Sequence, residues 1–380
     1  MNSLTVAVAA TALASLPLSA AKHLLYVGTY TGPKSEGIYA YRFDDVTGAT
    51  DPLGLAAKTE NPTFLAIHPN GRFLYAANET GTWKGKDGGY VTAYAIDAAS
   101  GMLRELGQQS TVGGGPCHLS TDPAGRQLLV ANYGGGSTVS FPILANGSVG
   151  PHGFFAQHRG SSVNQSRQAE PHAHSIHLGP DGKHAWVADL GTDSLHAYAF
   201  DPAKGLTGGL PNSDVPLAPG SGPRHLAFSP DGRHAYVINE LLSTLSAFVY
   251  DGKKGRMRLI ETVSTLPAGH DGKDTTTAEV RVHPSGKFVY GSNRGHDSIA
   301  VFRRDAQSGR LTQVAVTKTG GKTPRNFNFD PTGKFLFAAG QNSHDLIQFR
   351  IDAQTGGLTA TGLRLEVGSP VCLRFAPLPK

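Results

Sequence analysis

Four residues of the chain, His174, Arg224, Glu240 and Arg294, are of types that together move protons and hold negative charge. An imidazole and a carboxylate can act as general base or acid near neutral pH, and guanidiniums bind anions or a developing oxyanion. Either Glu240 or His174 can serve as the base in such a set, with Arg224 and Arg294 on the anion. A second group, Glu79, His118, His172, His225, Arg325, Asn326 and Gln341, supplies candidate substrate contacts. Taken singly, an Arg–Glu combination reads equally well as an ion pair that rigidifies a fold, and a histidine as one satisfied by backbone carbonyls. Chemistry follows only if the fold brings positions spread from Glu79 to Gln341 to one place.

The element that positions them is a Pro-x-Gly-basic turn, which occurs six times. Its prolines, Pro69, Pro123, Pro180, Pro230, Pro284 and Pro331, stand 54, 57, 50, 54 and 47 residues apart. Proline fixes φ at the first turn position and glycine supplies φ > 0, so each copy predicts a β-hairpin turn. Runs of alternating apolar, β-branched and aromatic residues flank each turn. Around the fourth copy they fall at 224–229, 234–239, 244–250 and 257–263. No helical periodicity of useful length interrupts them. Four antiparallel strands per period of about 50 residues make one β-propeller blade. Residues 371–377 read as a first strand with nothing after it, and residues 23–29 as a second strand lacking its first. Pairing the two completes a seventh blade and removes exposed sheet edges. The expected fold is all-β: a seven-bladed β-propeller over residues 22–380, four antiparallel strands per blade, closed by its N- and C-terminal strands.

In a blade the first strand lines the channel down to the turn and the second returns, so residues before the first and after the second share a face. Six residues before each turn proline stand Thr63, Cys117, His174, Arg224, Ala278 and Arg325, with Val371 equivalent in the closing strand. Five before are Phe64, His118, Ser175, His225, Glu279 and Asn326, with Cys372. Ten after are Glu79, Tyr133, Leu190, Glu240, Arg294 and Gln341. Nine after, Asn78, Asn132, Asn239 and Asn293 recur, which predicts a structural hydrogen bond where the chain leaves the strand. A template repeated seven times does not require Arg in one blade, His in another and Glu in a third. These blade-specific residues therefore mark one channel mouth as the working site. The long polar segment 157–170, feeding into Pro171-His172, either overhangs that mouth or is a surface loop.

With 48 Gly, 24 Pro and 17% charged residues, the composition is turn-rich and core-forming rather than disordered. The net charge of +5 is scattered, which argues against a nucleic-acid partner and leans toward small anionic ligands. Residues 1–21 carry no charged side chain, are rich in Ala, Leu and Val, and are too short and Ala-rich for a membrane span. They read as a secretory signal, although no Lys or Arg precedes the apolar stretch. The expected location is periplasmic or secreted, with no membrane partner after removal of the signal, and cytoplasmic if the segment is not one. Cys117 and Cys372 fit either buried thiols in apolar strands or a disulfide of an exported protein. Gly134-Gly135-Gly136 lacks the lysine and helix of a phosphate loop and reads as a flexible turn. The 16 His show no paired helical spacing for zinc, and no carboxylate cluster demands a metal.

Several segments, in order, resemble the seven-bladed lactonase family, the 6-phosphogluconolactonase-like propellers that include the fungal carboxymuconate lactonizing enzymes. They are Arg167-Gln168, Pro171-His172-Ala173-His174-Ser175, residues 188–193, Gly222-Pro223-Arg224-His225, Asn239-Glu240-Leu241, Ser292-Asn293-Arg294-Gly295 and Pro324-Arg325-Asn326-Phe327. The resemblance runs from about Lys22 to Pro377. It implies a site of a His, an Arg, a Glu and a second Arg, which by motif fall on His172 or His174, Arg224, Glu240 and Arg294. The register favours His174, which takes the position Arg224 fills one blade later. The resemblance also implies ring-opening by water, without cofactor, of a sugar lactone such as gluconolactone, galactonolactone or 6-phosphogluconolactone. A lactone isomerase or lactonizing enzyme of a muconate-type diacid is the alternative on the same scaffold. A non-enzymatic binding propeller is a third, suggested by Tyr-x-x-Asn at Tyr75, Tyr236 and Tyr290, a repeat also found in surface-layer propellers. Export would favour an unphosphorylated aldonolactone over a phosphorylated one.

Overall fold

The computed structural model describes residues 22–378; the segment read as a signal, 1–21, lies outside them. The six turn glycines, Gly71, Gly125, Gly182, Gly232, Gly286 and Gly333, share φ between 66° and 72°. Each donates its N–H to the carbonyl three residues back, as Gly71 does to His68 and Gly333 to Asp330. Proline thus sits where its missing N–H costs nothing, and glycine where a side chain would be strained.

Every described element of regular structure is a strand. Blade 1 comprises Pro62–Ile67, Phe73–Asn78, Tyr90–Ile96 and Leu103–Ser110; blade 2, Pro116–Thr121, Gln127–Asn132, Ser137–Pro142 and Phe154–Gln157. Blade 3 comprises Ala173–Leu178, His184–Asp189, Ser194–Asp201 and Gly205–Gly209; the short Val215–Pro216 also pairs with its third strand. Blades 4, 5 and 6 open with Pro223–Phe228, Thr276–Val282 and Pro324–Phe329 and repeat the same order. In blade 7 the C-terminal strand Pro370–Pro377 lies innermost, followed by Lys22–Thr29, Gly37–Asp44 and Thr50–Lys58. The ring therefore closes as expected, one strand from the C-terminus beside three from the N-terminus. Among the described residues no helix is long and apolar enough to cross a membrane.

Buried tyrosines tie neighbouring blades together. Tyr26, Tyr75, Tyr236 and Tyr290 donate their hydroxyls to the carbonyls of Gly101, Gly147, Gly309 and Gly356, each in a turn of the next blade. The Tyr-x-x-Asn repeat is accounted for by this packing. Asn132 and Asn293 meet the carbonyls of Thr111 and Thr265, as predicted for structural amides. Asn239 differs, donating to the hydroxyls of Thr244 and Ser246.

Each inner strand carries a β-bulge at its mouth end. Pairing with the second strand skips Thr63, Cys117, His174, Arg224 and Arg325, and likewise Val371 in blade 7. In blade 5 the slip spans Ala278 and Glu279. A bulge suspends the alternation of side chains, so two consecutive residues can turn the same way. Of the two readings of the cysteines, the buried thiols hold: Cys117 and Cys372 are free and lie in separate blades. The flexible turn expected at 134–136 is corrected: those glycines are packed, and a Cβ on Gly136, at φ 52°, would collide with Pro171.

Candidate active site at the channel mouth

Glu240 is the first residue beyond the second strand of blade 4, fixed there by its N–H to the carbonyl of Gly222. Its side chain is only 4% exposed. A carboxylate so far from water persists only when paired, and Glu240 is paired three times. Oε1 lies 2.7 Å from an Arg167 guanidinium nitrogen, while Oε2 lies 3.0 Å from Arg224 Nε and 3.1 Å from an Arg294 nitrogen. Burial opposes its charge, but the guanidiniums of Arg294, Arg224 and Arg167 outweigh that and hold its pKa at about 2.

His174 stands beside this cluster, its Nε2 3.9 Å from Glu240 Oε2. Burial, then the charges of Arg224 and Arg325, push the His174 pKa well below the usual imidazole range. The pair at neutral pH is therefore a carboxylate and a neutral imidazole. Across the mouth, Glu79 accepts hydrogen bonds from Tyr30 and from Thr63 Oγ1 at 2.6 Å. Arg325 donates to the Tyr30 hydroxyl at 3.1 Å and lies over its ring, and it makes no ion pair with a carboxylate among the described residues.

Glu79, Arg167, His174, Glu240, Arg294 and Arg325, with Cys117 and Tyr133, enclose a cavity of about 210 Å³, while Arg224 lines a small separate void with Phe64 and His225. Three guanidiniums (Arg167, Arg294, Arg325) and two carboxylates (Glu79, Glu240) line the cavity, and Arg224, paired to Glu240 from the void beside it, raises the positive excess to two. The cavity is smaller than the roughly 300–1,000 Å³ common for drug-sized ligands, which suits a single monosaccharide-sized ring.

Of the expected residues, His174, Arg224, Glu240, Arg294, Glu79 and Arg325 meet at this mouth. His172 does not enter it. Its ring stacks on Tyr133 at 4.5 Å and its Nδ1 lies 3.0 Å from the Tyr133 carbonyl, so it backs the wall. His118, His225 and Asn326 lie deeper in the channel, one residue past the bulge. There His225 and Asn326 both bond Glu279, and His118 packs on Phe64. Gln341 is held by its backbone to Thr323 and does not line the cavity. A larger cavity of about 640 Å³ opens at the far end of the channel. Both carboxylates in its lining are already engaged, Glu279 by His225, Asn326 and Arg281 and Asp330 by the backbone N–H groups of Thr332 and Phe335.

Three mouth residues were outside the expected set. Arg167 comes from the segment 157–170, which is fastened over the mouth by Ser162 to Asp193 and Gln168 to the Leu190 carbonyl. Its signal was its place in the polar run leading to Pro171-His172. Tyr133 occupies the same position ten residues after a turn proline as Glu240 and Arg294. Tyr30 is the equivalent residue of blade 7, concealed because that blade is assembled from both chain ends and has no turn proline before its second strand.

The family described as lactonase, seven-bladed β-propeller, matches residues 24–375. The 6-phosphogluconolactonase of Bacillus subtilis is 38% identical over 310 residues, 81% of this chain and 85% of its own. That of Formosa agariphila is 31% identical over 310 residues, 80% and 86% of the two chains. The solved structure of the periplasmic gluconolactonase of Pseudomonas aeruginosa superposes with a TM-score of 0.87 at 38% identity, covering 94% of this chain and 100% of that one.

Proposed function

The chain belongs to the seven-bladed β-propeller lactonase family, and from that premise we propose that it opens a sugar lactone with water at the mouth built around Glu240. The observation that carries the reading is the neutral His174 imidazole standing 3.9 Å from a buried carboxylate that three guanidiniums hold ionised. His174 takes the proton from water as its oxygen adds to the lactone carbonyl carbon. Arg224 and Arg294 receive the oxyanion, and collapse of the tetrahedral intermediate breaks the ring C–O bond. The leaving alkoxide takes its proton from the imidazolium, which Glu240 has meanwhile stabilised. Glu240 is itself a poor base, since protonating it would take the counter-charge from three guanidiniums, that of Arg224 buried. The depressed basicity of His174 rises as negative charge builds on the substrate and offsets Arg224.

The substrate in this reading is an unphosphorylated aldonolactone, supported by the leader-like composition of residues 1–21 and by the periplasmic relative. A pH-indicator assay on gluconolactone, galactonolactone and 6-phosphogluconolactone tests it. Acid release above the spontaneous rate is expected, lost in His174→Gln and Arg294→Ala, with the highest kcat/KM on an unphosphorylated lactone. No acceleration by a folded protein would exclude lactone hydrolysis. A reporter fused behind residues 1–21 should leave the cytoplasm; its retention would return 6-phosphogluconolactone to first place.

A further inference from the structure

Three residues before each turn proline, the inner strands supply one further level of the channel, and its side chains all line the cavity at the far end. Two of them, Ala66 and Ala227, are small. The others are Ser120, His177, Arg281, Asn328 and, in the closing strand, Arg374. We propose that this cavity, about 640 Å³ in volume, is a second binding site, for a small organic molecule that carries one carboxylate. Its size falls in the range of roughly 300–1,000 Å³ common to small-molecule sites.

Three of the polar side chains at this level are spent on the fold. Ser120, Arg281 and Asn328 donate to carbonyls of the next blade, those of Ile176, Phe327 and Leu373, at 2.8 to 2.9 Å. Arg374 and His177 break that pattern. Arg374 gives one nitrogen to the adjacent Leu373 carbonyl at 2.8 Å and lies over the Phe64 ring at 4.5 Å. It makes no ion pair with a carboxylate among the described residues. The His177 Nε2 has no hydrogen-bond partner. Neither carboxylate of the lining is free to neutralise Arg374. Glu279 lies 3.5 Å from an Arg281 nitrogen, and Asp330 is taken up by backbone N–H groups of its own turn. One positive charge is therefore left over. A guanidinium binds a carboxylate through paired, charge-assisted hydrogen bonds, which matches that single charge. A phosphate monoester, with about two negative charges at neutral pH, would exceed it.

The site is separate from the mouth and independent of the chemistry there. Phe64, His118 and His225 pack between the two cavities, with ring centroids 4.1 Å (Phe64 to His118), 5.2 Å (His118 to His225) and 5.6 Å (Phe64 to His225) apart. Leu226, Phe228 and Phe329 add apolar wall for the body of the ligand, and the two alanines leave room for it.

Calorimetric titration of the full chain with sodium benzoate, a carboxylate on an apolar ring, should show saturable binding. Benzamide, its neutral counterpart, should bind about tenfold more weakly or less. Arg374→Gln should weaken benzoate about tenfold or more with Tm little changed, and Ala227→Leu, which fills the cavity, should do the same. Arg294→Ala, at the mouth, should leave benzoate binding intact. In NMR spectra of histidine-labelled protein, benzoate should shift the ring resonances of His177. Absence of saturable binding to the parent chain, undiminished binding by folded Arg374→Gln, or loss of binding in Arg294→Ala would overturn the proposal.

Discussion

At the scale of single residues, the mouth separates two tasks that a sequence lists together. Glu240 is spent on holding three cations in place, and His174 is left neutral with its Nε2 toward the cavity. His174→Gln should lower kcat by about 10²–10⁴-fold with KM little changed, the usual range for a lost acid–base group; steady-state kinetics on the preferred lactone measure it. Glu240→Gln should reduce both activity and stability, because removing one partner of a buried ion pair costs about 3–5 kcal/mol. The pH profile follows from the same surroundings. Burial and neighbouring cations depress the His174 pKa, so it stays in its basic form below the ordinary imidazole value. Activity corrected for spontaneous hydrolysis should therefore hold from about pH 8 down through about 6.5. A half-loss centred near 6.5 would show that an unperturbed histidine is the base.

At the scale of elements, the bulge and the fastened segment place these groups. The Tyr290 hydroxyl meets the Gly356 carbonyl across a blade junction at 2.6 Å. Tyr290→Phe strands that carbonyl and should cost roughly 1–3 kcal/mol in chemical denaturation without altering the mouth. Gly136 lets the second-to-third-strand turn of blade 2 pass directly against Pro171. Gly136→Ala should displace Pro171 and His172, and with them the Tyr133 wall, and lower kcat/KM more than it lowers Tm.

At the scale of the whole molecule, the channel is lined by groups that titrate together. Burial is the first cause that depresses the pKa values of His118, His174, His177 and His225, with His177 at about 3 and His225 at about 4. In the unfolded chain each takes up a proton near pH 6.5, while in the fold it does not. The unfolded state therefore binds more protons below 6.5, and stability must fall as pH drops from there toward the folded values. Tm should decline steadily between about pH 6.5 and 4, with Glu240 adding its own loss only as pH falls further, from about 4.5 toward 2. A Tm unchanged down to pH 4 would contradict the buried, neutral state of these rings.

Much of this was legible in residue order. The Pro-x-Gly turns fix blade number because proline and glycine have few backbone choices, and period-two burial then fixes the strands. Counting from each proline brought His174, Glu240, Arg294, Glu79 and Arg325 to one mouth, since every blade repeats one register. The count could not separate His174 from Ser175, or Arg224 from His225, by depth: a bulge is a local break in alternation that leaves no mark in composition. Nor could it place Arg167, which reaches Glu240 from a segment outside the repeat, or Tyr30, whose blade exists only once the two ends pair. Local backbone chemistry determined the scaffold. Which side chains share a charge, as Arg167, Arg224 and Arg294 do at Glu240, was decided by contacts between blades that no stretch of sequence contains.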